Sequence, residues 1–148
     1  MSYVITRTED FYPLSLLYRS SGLEVTPATV SPPGTVALWR CDDPAQRRLL
    51  AAATLQRRAG HVVLAHLAVT ASCRGTGLGS RLLAEAEAEA ARLGAQTCWL
   101  VGKVPGFYQR VGWEVVPPEQ APPISRCLSC LQFQVDCFPS VMRKTLVP

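Results

Sequence analysis

No stretch of the sequence is apolar for the roughly 18 residues that a membrane-spanning helix requires. The N-terminal segment 1–12 lacks the basic start and long apolar run of a signal peptide, so we expect a cytoplasmic protein. The net charge of +4 is mild, and the basic residues do not form the clustered face that nucleic-acid binding requires. These absences argue against membrane and nucleic-acid partners, and the mild positive charge suits a small anionic ligand.

The chain also lacks internal repeats and low-complexity tracts. Its 148 residues fit one domain, 1–148, better than two. Hydrophobic residues make up 48% and charged residues 18%, which indicates a globular protein that can bury a core. The sequence leaves the oligomeric state open, and a homodimer is compatible with it.

Periodicity and turn residues predict a mixed order of strands and helices. The predicted strands are 2–6, 35–41, 47–58, 61–70, 95–101, 113–116 and 140–146, and the predicted helices are 9–21, 78–93 and 105–111. The helix at 78–93 is the clearest, because apolar residues recur there every three or four positions. This order predicts an α/β fold with a partly antiparallel sheet.

A glycine-rich segment, "RGTGLGSRLL" (74–83), lies between a predicted strand and the helix at 78–93. A glycine turn followed by a helix N-terminus is an anion site, because the first N–H groups of a helix are free and its dipole favours negative charge. The Walker pattern G-x4-G-K-[ST] is absent, and G-x-G-x-G does not match the dinucleotide pattern G-x-G-x-x-G. The pattern R/Q-x-x-G-x-G/A remains, and Arg74, Gly77 and Gly79 match it.

With this pattern the sequence resembles the GNAT superfamily of acyl-CoA-dependent N-acetyltransferases. The segment "HLAVTASCRGTGLGSRLL" (66–83) is similar to the core strand, pyrophosphate loop and helix of that family. The segment "GFYQRVGW" (106–113) is similar to its F-Y-x-x-x-G-F element, with Trp113 in place of the final Phe. The resemblance implies a GNAT fold, in which a mixed, mostly antiparallel sheet splays at the core strand and is flanked by helices.

The resemblance also implies that acetyl-CoA is the cosubstrate. The implied binding residues are the pantetheine-pairing Leu67, Ala68 and Val69 and the diphosphate-holding Arg74, Gly75, Thr76, Gly77, Leu78, Gly79 and Ser80. A main-chain N–H near Leu67 would polarise the thioester carbonyl. Tyr108 would protonate the departing thiolate.

The core strand lacks the carboxylate that many GNAT proteins carry there. His61 and His66 are the only histidines of the chain, and both lie in or beside this strand. His66 directly precedes the implied pantetheine-binding positions and is the candidate general base or water-positioning residue. The alternative is a purely structural histidine, which is the commoner role in a strand.

The tail "RCLSCLQFQVDCFPSVM" (126–142) resembles that of short single-domain GNAT proteins akin to N-acetylglutamate synthase. Cys127, Cys130 and Cys137 form a C-x2-C-x6-C cluster that could supply three zinc ligands, whereas thiols packed under a loop are the alternative. Candidates for a fourth ligand are Cys41, Cys73, His61 and His66. The same resemblance covers "SSGLEV" (20–25) and implies an arginine soon after it, a residue that would suit an acidic amino-acid substrate. Here 26–29 reads "TPAT", so that arginine is absent, which argues against glutamate as the substrate.

We therefore predict an acetyltransferase that moves the acetyl group of acetyl-CoA to a primary amine of an amino acid or another small molecule, by direct attack of the amine. Protein or peptide N-acetylation is the alternative among enzymes. A CoA-binding module that has lost catalysis and a zinc-stabilised interaction domain are the alternatives from other classes.

Overall fold

A computed structural model describes residues 2–102, 104–124 and 140–146. The strands in these residues are β1 (Val4–Arg7), β2 (Thr35–Asp43), β3 (Arg48–Arg58), β4 (His61–Val69), β5 (Thr97–Gly102), β6 (Glu114–Val116) and β7 (Ser140–Thr145). The helices are α1 (Phe11–Ser20), α2 (Leu78–Arg92) and α3 (Pro105–Gln109), with 3-10 turns at Ala71–Cys73 and Pro118–Gln120. The predicted order of elements is confirmed. None of the described helices is long and apolar enough to cross a bilayer.

The strands form one sheet in the order β1-β2-β3-β4-β5-β7-β6. Every neighbouring pair is antiparallel except β4 and β5, which run parallel. A parallel pair needs a long crossover connection, and α2 supplies it. The predicted α/β class with a mixed, mostly antiparallel sheet is thereby confirmed.

The two longer helices pack on opposite faces of the sheet. Side chains alternate between the faces along β3, so Ala52 packs with α1 whereas Ala51 and Ala53 pack in the cluster that contains α2. The buried residues of α1 are Phe11, Leu14, Ser15, Leu17 and Tyr18, and those of α2 are Leu78, Leu82, Leu83, Ala86 and Ala90. We call these two sides of the sheet the α1 face and the α2 face.

The sheet opens between β4 and β5. Their ladder consists of two residue pairs, Val62 with Cys98 and Val63 with Trp99. Beyond this point β4 stays paired with β3 as far as Val69, and β5 stays paired with β7 as far as Gly102. The strands therefore diverge, and none of the described residues forms a strand beside residues 64–69 of β4 on the β5 side.

A β-bulge sets the directions of the side chains in this part of β4. Thr54 of β3 pairs with His66 and Leu55 pairs with Leu64, so Ala65 is an extra residue. An extra residue reverses the alternation of side chains beyond it. Leu64 packs in the core of the α2 face, and His66, two positions later, contacts rings of α1 on the other face.

Candidate active site

The loop 74–77 lies open at the end of β4. Gly75 has φ +81° and Gly77 has φ +88°, a left-handed region in which residues with a side chain are strained. A β-carbon at either position would meet no atom within 4 Å. Backbone conformation, rather than crowding, therefore requires glycine here, and no described atom lies close to the loop at these two positions.

The N-terminus of α2 has backbone donors but no side-chain cap. Gly77 is the N-cap residue, and the N–H of Arg81 makes the first helical bond, 3.1 Å to the Gly77 carbonyl. The N–H groups of residues 78–80 have no acceptor within the helix. The first turn contains no acidic residue. This end of the helix thus carries an uncompensated partial positive charge that suits a phosphate.

Gly79 is the point where the loop, β4 and α3 meet. A β-carbon at Gly79 would lie 3.2 Å from Cζ of Phe107 and 3.6 Å from Cγ2 of Val69. The Phe107 ring therefore fills the space that a side chain would take at the start of α2. This contact brings "GFYQRVGW" beside the glycine loop, about 30 residues away in sequence.

Tyr108 lies on the α2 face next to two aromatic rings, those of Phe107 and Trp113, which we call the aromatic cage. Its ring centroid is 5.0 Å from that of Phe107 and 6.0 Å from that of Trp113, both edge-on. Burial raises the pKa of the Tyr108 hydroxyl to about 12. The phenol is thus protonated at neutral pH and can donate a proton or a hydrogen bond.

His66 lies on the α1 face, where its ring centroid is 4.7 Å from that of Tyr18 and 6.2 Å from that of Phe11. Its Nδ1 is buried and has no hydrogen-bond partner among the residues that the structure describes. Burial, and secondarily the nearby Arg58 guanidinium, lower the pKa of His66 from 6.5 to about 4. The ring is therefore neutral at pH 7 and is a weak base.

We expect the His66 ring signal in the NMR spectrum to titrate with a midpoint near pH 4, because its buried ring resists protonation. The chain has only two histidines, so a His66→Asn variant assigns the signal. The unfolded chain takes up this proton first as the pH falls from 6.5 to about 4, so His66 should lower stability over that window. A midpoint near 6.5 would contradict the burial of the ring.

A cavity of about 410 Å³ lies above His66 on the α1 face. It is bounded by α1 and by the loop that follows it. The lining residues are Phe11, Glu24, Val25, Thr26, Ala28, Val30, Ser31, Pro32, Pro33 and His66. This described lining is mostly apolar, with the Glu24 carboxylate and two hydroxyls, and it contains no lysine or arginine.

A row of polar side chains near His66 was not predicted from the sequence. The Tyr18 hydroxyl is 2.8 Å from Oγ1 of Thr54, which pairs with His66 across the strands. Two residues further along β3, the Gln56 Oε1 accepts a 2.7 Å hydrogen bond from Nε of Arg58. The Gln56 Nε2 is buried and has no partner within the described part of the chain. The available signal was the alternation of Thr54, Gln56 and Arg58 directly after the apolar run 49–53 of the same strand.

The two candidate catalytic residues, Tyr108 and His66, lie on opposite faces of the sheet. The gap where the described strands β4 and β5 diverge lies between these two faces. Leu67, Ala68 and Val69 line the β4 side of this gap and follow His66 directly. The site thus has three parts: the glycine loop with Tyr108, the unpaired edge of β4, and the cavity above His66.

The structure describes no metal centre. Across 2–102, 104–124 and 140–146, no three His, Cys, Asp or Glu side chains are grouped so that they could hold an ion. Burial raises the pKa of the Cys41 thiol, one of the candidate fourth ligands, to about 11, so without a bound metal this thiol is protonated at neutral pH. The three zinc candidates of the tail, Cys127, Cys130 and Cys137, lie outside the described residues.

Comparison with known families decides the assignment. A family model described as the acetyltransferase (GNAT) domain matches residues 29–115, more than half of the chain. The chain belongs to the GNAT family. The family predicted from the glycine loop and the "GFYQRVGW" segment is confirmed, and the family's enzymes are acetyl-CoA-dependent acetyltransferases.

Three relatives illustrate the similarity. Blasticidin-S acetyltransferase of Streptomyces morookaense is 44% identical over 63 residues, which cover 38% of this GNAT chain and 46% of that protein, less than half its length. N-acetylglutamate synthase of Neisseria gonorrhoeae, complexed with coenzyme A and N-acetylglutamate, gives a TM-score of 0.78 at 15% identity, over 100% of this chain and 36% of that one. An aminoglycoside 6'-N-acetyltransferase complexed with coenzyme A gives 0.69 at 18% identity, over 98% of both chains. At these identities the two solved structures establish a shared fold, which confirms the predicted GNAT architecture.

Proposed function

We propose that this protein transfers the acetyl group of acetyl-CoA to the primary amine of an amino acid or another small molecule. The observation that carries the proposal is the gap between β4 and β5. On the α2 face the glycine loop and Tyr108 adjoin it, and on the α1 face the cavity above His66 does. A donor and an acceptor can therefore meet in the gap from opposite sides of the sheet.

The residues around the loop fit coenzyme A. The loop 74–77 and the first turn of α2 offer free backbone N–H groups to a diphosphate, and no carboxylate in that turn repels it. The unpaired edge of β4 offers further backbone donors and acceptors to the amides of pantetheine, as a sheet edge does for a strand. We assign this second role to Leu67–Val69. Acetyl-CoA would supply the activated thioester that the amine attacks.

The cavity above His66 is our proposed acceptor site. Its volume, about 410 Å³, lies in the range of pockets for small molecules. An amine arrives mostly as an ammonium ion, which the Glu24 carboxylate would attract. Arg58 lies near enough to lower the pKa of His66, but it is not among the residues that line the cavity.

Tyr108 is our proposed general acid. Its raised pKa keeps a proton on the hydroxyl over the whole physiological range, and the departing thiolate needs such a proton. The aromatic cage fixes the ring, so that the proton donor has a defined position relative to the loop.

His66 is proposed to accept a hydrogen bond from the amine or from an ordered water. With a pKa of about 4 it cannot retain the proton of an ammonium ion at neutral pH, so that proton must continue to solvent. Deprotonating a lysine-like amine at pH 7 costs roughly 4.6 kcal/mol, whereas a peptide α-amine near pKa 7.8 costs about 1 kcal/mol. A weak base therefore favours weakly basic amines as acceptors.

A screen of amines tests this proposal. We expect acetylated product by mass spectrometry, and CoA thiol release above a no-amine blank, with at least one small primary amine among free amino acids, diamines and amino sugars. The blank is necessary because the chain itself has six cysteines. Turnover of peptides alone would favour peptide N-acetylation instead. Calorimetric CoA binding without turnover of any amine would favour the CoA-binding module.

A further inference from the structure

Trp113 stands where the GNAT motif ends in phenylalanine, and its indole N–H has a defined partner. Nε1 of Trp113 donates a 3.1 Å hydrogen bond to Oε2 of Glu87 on α2. Only 3% of Trp113 is exposed, so this donor could not pair with bulk water instead. Phenylalanine at this position would make no such bond.

The other oxygen of the Glu87 carboxylate is also engaged. Nζ of Lys144 on β7 donates to Oε1 of Glu87 at 2.7 Å and to the carbonyl of Val111 at 2.9 Å. The side chains of Glu87 and Lys144 are 17% and 26% exposed, so the ion pair is largely shielded from water. Glu87, Trp113 and Lys144 therefore tie α2, β7 and the turn 110–113 together, and we call these three residues the Glu87 network.

This turn holds Tyr108. The carbonyl of Tyr108 accepts 3.0 Å hydrogen bonds from the N–H groups of Val111 and Trp113, and the Trp113 ring packs edge-on against the Tyr108 ring. Tyr108 therefore cannot shift away from α2 without moving Trp113. Glu87 lies about two and a half turns from the N-terminus of α2, the end of the helix that adjoins the glycine loop.

We propose that the Glu87 network positions the Tyr108 hydroxyl relative to the glycine loop, so that Glu87 and Trp113 are positioning residues for proton transfer. This inference rests on the proposed function, in which Tyr108 is the acid. The two ends of "GFYQRVGW" then have separate contacts with α2: Phe107 against Gly79 at its start, and Trp113 against Glu87 further along.

A double-mutant cycle with Tyr108→Phe tests this proposal. Trp113→Phe keeps an aromatic ring but removes the N–H, and we expect it to lower kcat about tenfold with little change in the KM for acetyl-CoA. In the Tyr108→Phe background the same change should have no further effect on kcat, because no hydroxyl is left to position.

Glu87→Gln should likewise lower kcat with Tyr108 present and leave it unchanged in the Tyr108→Phe background. The substitution replaces one acceptor oxygen of the carboxylate with an NH2 group, which donates. The matched control is Glu114→Gln, which removes an exposed β6–β7 ion pair with Arg143 and should leave kcat unchanged.

The outcomes separate the inference from the function. If Tyr108→Phe lowers kcat but Trp113→Phe lowers it equally in both backgrounds, Trp113 is structural and the inference falls while the function stands. If Tyr108→Phe leaves kcat unchanged, the proposed acid and the inference fall together.

The NMR signal of the Tyr108 ring is a readout that needs no turnover. The chain has only four tyrosines, so this signal can be assigned with the Tyr108→Phe variant. The Tyr108 ring signal in tyrosine-labelled protein should shift in Glu87→Gln, which leaves both aromatic neighbours in place, but not in Glu114→Gln, and an unmoved signal in Glu87→Gln would overturn the inference.

Discussion

Gly77→Asp should abolish the binding of coenzyme A. At φ +88° an aspartate is strained, which costs about 1–2 kcal/mol. The larger effect is the new carboxylate, which would compete for the N–H groups of the first turn of α2 and repel the diphosphate. We expect no measurable heat of CoA binding in calorimetry at concentrations that saturate the wild-type protein.

The control for this variant is Gly94→Asp. Gly94 follows the other end of α2 with φ +86°, and a β-carbon there also meets no atom within 4 Å. The same substitution therefore brings the same backbone strain and the same charge, but far from the loop. CoA affinity should be preserved in Gly94→Asp, and an unchanged affinity in Gly77→Asp would remove the diphosphate site from the proposal.

Tyr108→Phe should lower kcat by about 100-fold or more, the usual contribution of a general acid, with a much smaller change in KM. The ring that packs against Phe107 and Trp113 is retained, so the variant removes the proton and little else. Because burial raises the pKa of Tyr108 to about 12, the rate should not fall between pH 7 and 9 through loss of this proton. Initial rates with the best amine from the screen give both constants.

The matched control here is Tyr12→Phe. Tyr12 lies on α1, is 44% exposed and does not line the cavity. Its variant should retain the wild-type kcat. An unaltered kcat in Tyr108→Phe would leave that residue a packing side chain in the aromatic cage.

Local patterns predicted much of the fold. The spacing of Leu78, Leu82, Ala86 and Ala90 predicted α2, and the structure buries all four of these side chains. The glycine loop could be located because G-x-G-x-G and the following helix adjoin in sequence. Such features depend on residues within one or two turns of each other, which a single sequence displays directly.

The parts that could not be predicted depend on contacts between distant segments. The bulge at Ala65, which turns His66 to the α1 face, appears only in the pairing of β4 with β3. The lowered pKa of His66 requires its burial against Tyr18, nearly fifty positions away. The bond from Trp113 to Glu87 likewise joins two segments that show no common pattern in the sequence.

The two-residue ladder between β4 and β5 has a further consequence for inhibition. In the proposed reaction each substrate has its own entrance, so neither has to leave before the other can bind. In a compound that joins an acceptor analogue to coenzyme A, the linker would have to pass between β4 and β5 where these strands separate. The length and thickness of the linkers that still allow such a compound to bind would then measure the width of the opening.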